Sequence, residues 1–298
     1  MEPMTMLDTP PFLDLPSTSP QAKKVAKIGN VLLALGSLTQ ENIDQVLRLQ
    51  KVQRVRFGIA AQHLGLLTAE EVDQALAQQF HFVGLAPGQG ELAPELFAAY
   101  APFSLAADVV RGIRSQLLAQ GYAQQGKTIA IVGIDEDEGN SLLVANLAVM
   151  FSQINKKTLL IDANLRAERQ QTIFKTTSGH GLADVLAHRA GIETIKPVDL
   201  FPGLFLLAAG TIAPNPAELL GRGAFRELHF ALLQKFDVIL IDTCGFSVNG
   251  EAVALAGQID GAIVSARAGH TRCCEIALTA ERLAQAGVAV IGSVLLDY

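Results

Sequence analysis

Three absences narrow the reading before any motif is considered. No apolar run approaches the roughly 18 residues that a membrane-spanning helix needs, so the 298-residue chain is expected to be soluble. Positive charge is not in surplus: the formal net charge is -6, and nothing global points to nucleic acid or an anionic surface. Cysteine is scarce. Cys244, Cys273 and Cys274 are odd in number with two adjacent, which fits neither a disulfide framework nor a Cys-x-x-Cys zinc site. A reducing cytoplasm is the compartment this suggests. The amino terminus is rich in Pro, Ser and Thr, with no cationic stretch leading into an apolar core. Residues 1–21 therefore read as a disordered tail and not as a signal peptide.

What is present begins with a duplication. Lys27, Gly29, Gly36, Leu38, Thr39, Glu41, Leu47 and Gln50 recur 29 positions later as Arg56, Gly58, Gly65, Leu67, Thr68, Glu70, Leu76 and Gln79. Each copy reads as a short helix, a glycine turn, and a second helix opened by threonine. Thr68 and Glu71 have the spacing of a capping box. Ile43, Val46 and Leu47, then Val72, Ala75 and Leu76, give each second helix one apolar stripe. Two such hairpins make a small all-α domain over residues 22–84.

The repeat resembles the N-terminal (MshEN-like) domain of type II secretion and pilus ATPases, in which this Gly/Leu pattern occurs twice with a five-residue spacer, here Lys51 to Val55. Departures are Lys27 for arginine, and Ser37 and Ala61 for leucine. Some members of that family bind cyclic di-GMP. The resemblance makes Lys27 and Arg56 candidates for stacking on guanine or pairing with phosphate. The same pattern also reads as a docking module, with both cations merely solvated.

Residues 85–105, dense in Gly and Pro, read as a linker carrying a short helix around Pro94 to Tyr100. A helical pattern then begins near Ala106, with Asp108, Arg111 and Arg114 three residues apart on one stripe. Taken alone, that stripe is a solvated face.

From Lys127 onward apolar strand-like runs alternate with helical segments. Strands are expected at Thr128–Gly133, Thr158–Asp162, Leu204–Ala209, Asp237–Asp242, Gly261–Ala266 and Val288–Leu296. Helices are expected at Ser141–Gln153, Leu182–His188, Ala224–Gln234, Gly250–Ala256 and Arg272–Ala286. Continuous apolar strands imply a mostly parallel sheet with helices on both faces, an α/β fold of the P-loop NTPase kind. The first strand feeds a loop reaching Gly139-Asn140-Ser141 and then an amphipathic helical pattern, the strand-loop-helix setting of a phosphate cradle. Such a cradle uses glycines and a lysine beside the final Gly-Ser. Here Asp135, Glu136, Asp137 and Glu138 fill the loop, and Asn140 stands at the lysine position. Two further strand ends carry Asp162 and Asp242, the latter after Val238-Ile239-Leu240-Ile241 in the form of a Walker B strand, whose carboxylate holds Mg²⁺ through water.

Residues 106–298 resemble the bacterial tyrosine kinases of exopolysaccharide and capsule synthesis, most of all the EpsG-type chain-length-determinant kinases, which pair the same N-terminal repeat with the kinase domain. The stretches that carry this are Val110–Ser115, Asn146–Gln153, Leu160–Arg166, Gly181–Leu186, Asn215–Leu220, Phe236–Thr243 and Gly292–Tyr298. The resemblance implies ATP and Mg²⁺ as cofactors, with Gly139 and the Asn140 position at the phosphates. Ser141, Asp162 and Asp242 would be metal ligands, one aspartate serving as base. It also implies a membrane polysaccharide co-polymerase as partner, self-association through Asp108, Arg111 and Arg114, and a terminal tyrosine, here Tyr298, as phosphate acceptor.

The departures fall on catalytic parts. Glu136 and Asp137 replace Pro and Gly, Asn140 replaces lysine, Asn164 replaces the second carboxylate of Asp-Ala-Asp, and Cys244-Gly245 replace Pro-Pro. A carboxylate at Asp137 faces the phosphates, and two like charges about 5 Å apart at an effective dielectric near 20 repel by roughly 3 kcal/mol. The expectation is a pseudokinase or scaffold that regulates polysaccharide synthesis; the alternative is an active ATP-dependent tyrosine autokinase. A partitioning-type ATPase of the same P-loop class agrees less well with the leading helix and with Asn215–Leu220.

Overall fold

The computed structural model describes residues 27–79, 85, 91–122, 127–135, 139–177, 179–221, 223–246, 251–255 and 258–297. The amino-terminal tail, Glu136, Asp137, Glu138 and Tyr298 lie outside them. Among the described residues no helix is long and apolar enough to cross a membrane.

Helices α1 (Ile28–Ala34), α2 (Gln40–Gln53), α3 (Phe57–His63) and α4 (Ala69–Gln79) form the two hairpins of the repeat. Both turns pass through a glycine in the left-handed region, Gly36 at φ 73° and Gly65 at φ 66°, where a side chain is strained. The Thr68–Glu71 capping box forms in both directions, at 2.8 and 3.2 Å. Thr39 and Asn42 make one in the first copy as well, because an amide oxygen accepts from the cap N–H as a carboxylate does. Leu32, Leu38, Ile43, Val46, Ala60, Ala61, Leu67, Val72 and Ala75 make the core. Leu47, expected on the buried stripe, is 41% exposed. Four residues after Ile43, it lies at the edge of that face, about 40° round from Ile43 and about 100° from Val46.

The expected linker is, in its described part, packed against the second domain. Helix α5 is confined to Phe97–Tyr100. Its Ala98 N–H donates to Asn146 Oδ1 at 2.8 Å, and Gln153 Nε2 donates to the Ala98 carbonyl at 3.1 Å. Helix α6 (Leu105–Ala119) follows, capped by Ser104.

The second domain runs β1 (Lys127–Gly133), α7 (Asn140–Ser152), β2 (Thr158–Asp162), α8 (Arg169–Phe174), α9 (Leu182–Leu186), β3 (Lys196–Pro197), β4 (Leu204–Leu207), α10 (Pro216–Gly221), α11 (Gly223–Leu233), β5 (Val238–Asp242), α12 (Glu251–Ala254), β6 (Gly261–Arg267), α13 (Cys273–Gln285) and β7 (Val290–Leu296). Among the described residues the strands form one sheet in the order β3-β4-β2-β5-β1-β6-β7. Every pairing is parallel except the short edge strand β3 on β4. This is the mixed α/β, P-loop NTPase-like fold expected from the strand pattern.

Alternate residues of each strand face opposite ways. Ile129, Ile131, Leu160, Leu240 and Ile263 pack beneath α5 to α8, while Ala130, Val132, Leu159, Ile161, Ile241 and Val264 pack beneath α9 to α13. Helix α7 departs from the expected amphipathic pattern: every residue from Leu143 to Ser152 is buried, since the sheet covers one side and α5 and α6 the other. The expected strand ends at Ala209 and Val288 retract to Leu207 and Val290. β3, α8 and α10, two to six residues long, were not among the expected elements.

Candidate functional site

Parallel strands carry their loops to a common edge, and the carboxyl ends of β1, β2 and β5 bring the predicted residues together. Asp162 and Asp242 are register partners at the ends of β2 and β5, and both are fully buried. Gly139 caps α7 at φ 69° and ψ 12°, a conformation that favours glycine. Asn140 and Ser141 open α7 above Asp242.

The side chain at the lysine position turns inward. Asn140 is buried, and its Nδ2 lies 3.2 Å from Asp242 Oδ1, from the Ile131 carbonyl and from the Thr243 carbonyl. Its Oδ1 accepts from the Ser265 hydroxyl at 2.7 Å. Three acceptors on one side and a hydroxyl donor on the other fix the amide's orientation. A second amide completes the enclosure. Gln170, on α8, donates from Nε2 to Asp242 Oδ2 at 2.7 Å and to the Ser141 carbonyl at 2.9 Å. The Ser141 hydroxyl also bonds to Asp242. Asp162 accepts backbone N–H groups of Asn164 at 3.1 Å and Gln170 at 3.0 Å.

Two carboxyl groups side by side without solvent disfavour double ionisation. Burial, then the Asp242 charge, push Asp162 well above the usual aspartate range despite its two backbone donors. Burial raises Asp242 to about 6, against the pull of Gln170, Ser141, Arg169 and Asn140.

Outside this core lies a cavity of about 460 Å³ bordered by Gly139, Ser141, Asn164, Arg166, Arg169 and Cys244. Arg166 is tied at 3.0 Å to Glu251, a fully buried carboxylate that also accepts from the Cys244 thiol at 2.8 Å. Thus the Cys-Gly that follows Asp242 engages a glutamate from α12.

The other predicted residues lie elsewhere. Lys27 and Arg56 occupy the equivalent N-cap positions of α1 and α3, both exposed, with no side-chain cap bond. Asp108 and Arg111 form an ion pair in which Asp108 is exposed and Arg111 half-buried, the arginine also donating to the Pro102 carbonyl. Arg114 does not share their surface: it is buried and donates to the Met150 carbonyl of α7 at 2.8 Å. The three-residue spacing turns each successive side chain by about 300°, so the stripe drifts across the helix and its last member reaches the core side.

Gln170, Ser265 and Glu251 were missed from sequence. Ser265 left a faint signal as a polar residue in an apolar strand, while a lone glutamine eight residues beyond Asp162 left none.

Comparison with known proteins identifies the family. Tyrosine-protein kinase YwqD of Bacillus subtilis is 32% identical over 194 residues, which are 65% of this chain and 82% of YwqD. The chain belongs to the bacterial tyrosine-protein kinase family. Another family member, tyrosine-protein kinase Etk of Escherichia coli K12, is 28% identical over 194 residues; the matched part is 27% of Etk's own length. The solved kinase domain of E. coli Etk superposes with a TM-score of 0.66 at 27% identity, covering 70% of this chain and 81% of that domain. The BceF tyrosine kinase domain gives 0.61 at 28% identity, covering 77% and 89%. No family model matches the chain.

Proposed function

We propose that this chain is a regulatory pseudokinase or scaffold of exopolysaccharide or capsule synthesis, of the EpsG type. It would act on a membrane polysaccharide co-polymerase from the cytoplasm and not by phosphoryl transfer. Membership of the tyrosine-kinase family supports the setting. The observation that carries the loss of catalysis is the Asn140 amide, held by Asp242, Ile131, Thr243 and Ser265.

Mg²⁺-ATP fits these residues poorly. A P-loop lysine projects a cation onto the β- and γ-phosphates, whereas Asn140 is neutral and its nitrogen is already engaged. The aspartates that would hold the metal accept a bond on each oxygen from Asn140, Gln170 and Asn164. In place of a metal and a lysine, two side-chain amides satisfy Asp242 and two backbone N–H groups satisfy Asp162.

Calorimetry with Mg-ATP and Mg-ADP tests this. No heat above dilution is expected; micromolar binding, or tyrosine autophosphorylation of the wild-type protein, would favour the active autokinase using Asp162 and Asp242. A double variant, Asp137→Gly with Asn140→Lys, should gain nucleotide binding if the loop is the lesion. The N-terminal hairpins are proposed to report cyclic di-GMP through Lys27 and Arg56, and equal heats from wild type and Arg56→Ala would reject that. Self-association is proposed through the exposed face of α6, where Leu105 and Val109 stand beside Asp108 and Arg111.

A further inference from the structure

The opposite end of the sheet holds a second cleft, of about 740 Å³, roughly 15 Å from the aspartate pair by the length of a five-residue strand. It is built at the amino ends of β1, β5 and β6 and the carboxyl end of α11. Lys127, Lys157, Arg226 and Lys235 border it together with two carboxylates, Asp237 and Asp260. This is a cationic balance in a chain of net charge -6.

The carboxylates are committed to the fold. Asp237 accepts the Lys157 backbone N–H at 2.8 Å. Asp260 accepts the Thr128 N–H at 2.8 Å and the Lys127 ammonium at 2.7 Å. The Lys157 ammonium rests 5.5 and 5.4 Å from the ring centres of Phe205 and Phe236, a contact that orients it without cancelling its charge. Arg226 is exposed on α11.

An independent feature points to a ligand. Gln258 borders the same cleft, is only 8% exposed, and its buried Oε1 has no hydrogen-bond partner. Its Nε2 makes only a long contact, 3.4 Å, to the Ala254 carbonyl. A buried amide oxygen without a donor is an unfavourable arrangement that a bound O–H or N–H corrects.

We propose that this cleft binds a small hydroxyl-bearing phosphate ester, with its phosphate on the Lys157 and Arg226 wall and a hydroxyl that turns the weakly held Gln258 amide, so that its buried oxygen comes to the cleft and accepts. The cations supply attraction and the orphan carbonyl supplies selectivity, because inorganic phosphate lacks the carbon-borne hydroxyls that reach past the cationic wall.

Ribose 5-phosphate, inorganic phosphate and ribose serve as probes, titrated into the full chain by calorimetry with two-dimensional NMR to locate the shifts. Ribose 5-phosphate is expected to bind at least tenfold tighter than phosphate, and ribose not at all. Arg226→Glu, an exposed substitution that leaves the core untouched, should weaken ribose 5-phosphate tenfold or more. Gln258→Leu should reduce it to the level of phosphate, while Ser141→Ala at the other sheet end should leave it unchanged. Equal affinity for phosphate and ribose 5-phosphate, insensitivity to Arg226→Glu, or loss through Ser141→Ala would each overturn the proposal. The first two outcomes leave the pseudokinase reading untouched, since its residues lie at the far edge of the sheet, whereas loss through Ser141→Ala would place the ester at the P-loop and count against both.

Discussion

Asn140 and Asp242 are bonded across the site, amide nitrogen to carboxylate oxygen at 3.2 Å. Under the proposed function that bond takes the place of the lysine-to-phosphate contact of a P-loop. It also makes the first prediction. Asn140→Ala leaves Asp242 Oδ1, the Thr243 carbonyl and the Ser265 hydroxyl short of a partner, and an orphaned buried polar group costs about 1–3 kcal/mol. Urea denaturation should show a loss of that size with an unchanged m-value. A neutral result would mean that the amide is not integral to the fold.

The carboxyl pair predicts a pH dependence. Asp162 and Asp242 titrate above the unfolded aspartate value, so between about pH 4 and the folded values the native state holds protons that the unfolded chain has released. Unfolding then releases protons, and stability falls as pH rises through that window. Thermal melts should decline as pH rises from about 4 through about 6, with a limiting slope of about 1.4 kcal/mol per pH unit for each proton. Asp242→Asn removes the repulsion and should flatten the decline, whatever it does to the height of the curve. A wild-type profile that rises over this range would contradict the shifted pair.

These two residues mark what was legible beforehand. Asp162, Asp242, Gly139 and Ser141 could be read because each closes or opens a long apolar element whose period is visible in the chain. So could the parallel sheet, from six continuous apolar runs, although the last of them, β7, is not buried on both faces. The partners that define the site's state could not. Gln170 reaches Asp242 from 72 residues away and Ser265 reaches Asn140 from 125 away; such contacts are set by topology, not by local spacing. Arg114 shows the converse error, since three charges at even spacing suggested one face while packing against Met150 drew the last of them inward.

Asp184 should control acid stability in the same domain. Burial would raise its carboxyl, but the Thr211 N–H and hydroxyl, the Gly181 N–H and the Arg189 guanidinium outweigh burial and hold it at about 2. A depressed aspartate contributes stability above the unfolded value of about 4 that is lost as pH falls toward 2. Asp184→Asn should cost about 2 kcal/mol at pH 7, as expected when hydrogen bonds to a buried charge are lost, and should show a weaker additional loss between pH 4 and pH 2. An unchanged acid limb would assign the acid transition to other groups.

Helix α6 allows packing to be told apart from the self-association proposed above. Arg114→Ala removes the bond to the Met150 carbonyl and the buried aliphatic stem, and should destabilise the domain by about 2 kcal/mol without a direct effect on self-association. Leu105→Asp with Val109→Asp should do the reverse, because both side chains are exposed, at 81% and 56%. Denaturation paired with sedimentation velocity distinguishes the two. If Arg114→Ala dissociates oligomers at full stability, the arginine acts at the surface after all.

The repeat itself provides the last test, because its two halves are equivalent in sequence and unequal in space. A Cβ placed on Gly58 would lie 2.5 Å from Val72 Cγ1, whereas one on Gly29 would lie 3.7 Å from the Phe57 ring. Both glycines sit in the first turn of a short helix. Gly29→Ala therefore has room, and the higher helix propensity of alanine should leave stability unchanged or raise it by up to about 1 kcal/mol. Gly58→Ala must displace Val72, a core residue, and overpacking of this kind costs about 1–3 kcal/mol. Opposite signs in chemical denaturation of the two variants would show that the duplicated glycine is retained for helix contact in the second hairpin. Equal losses would instead point to a common backbone requirement in both copies.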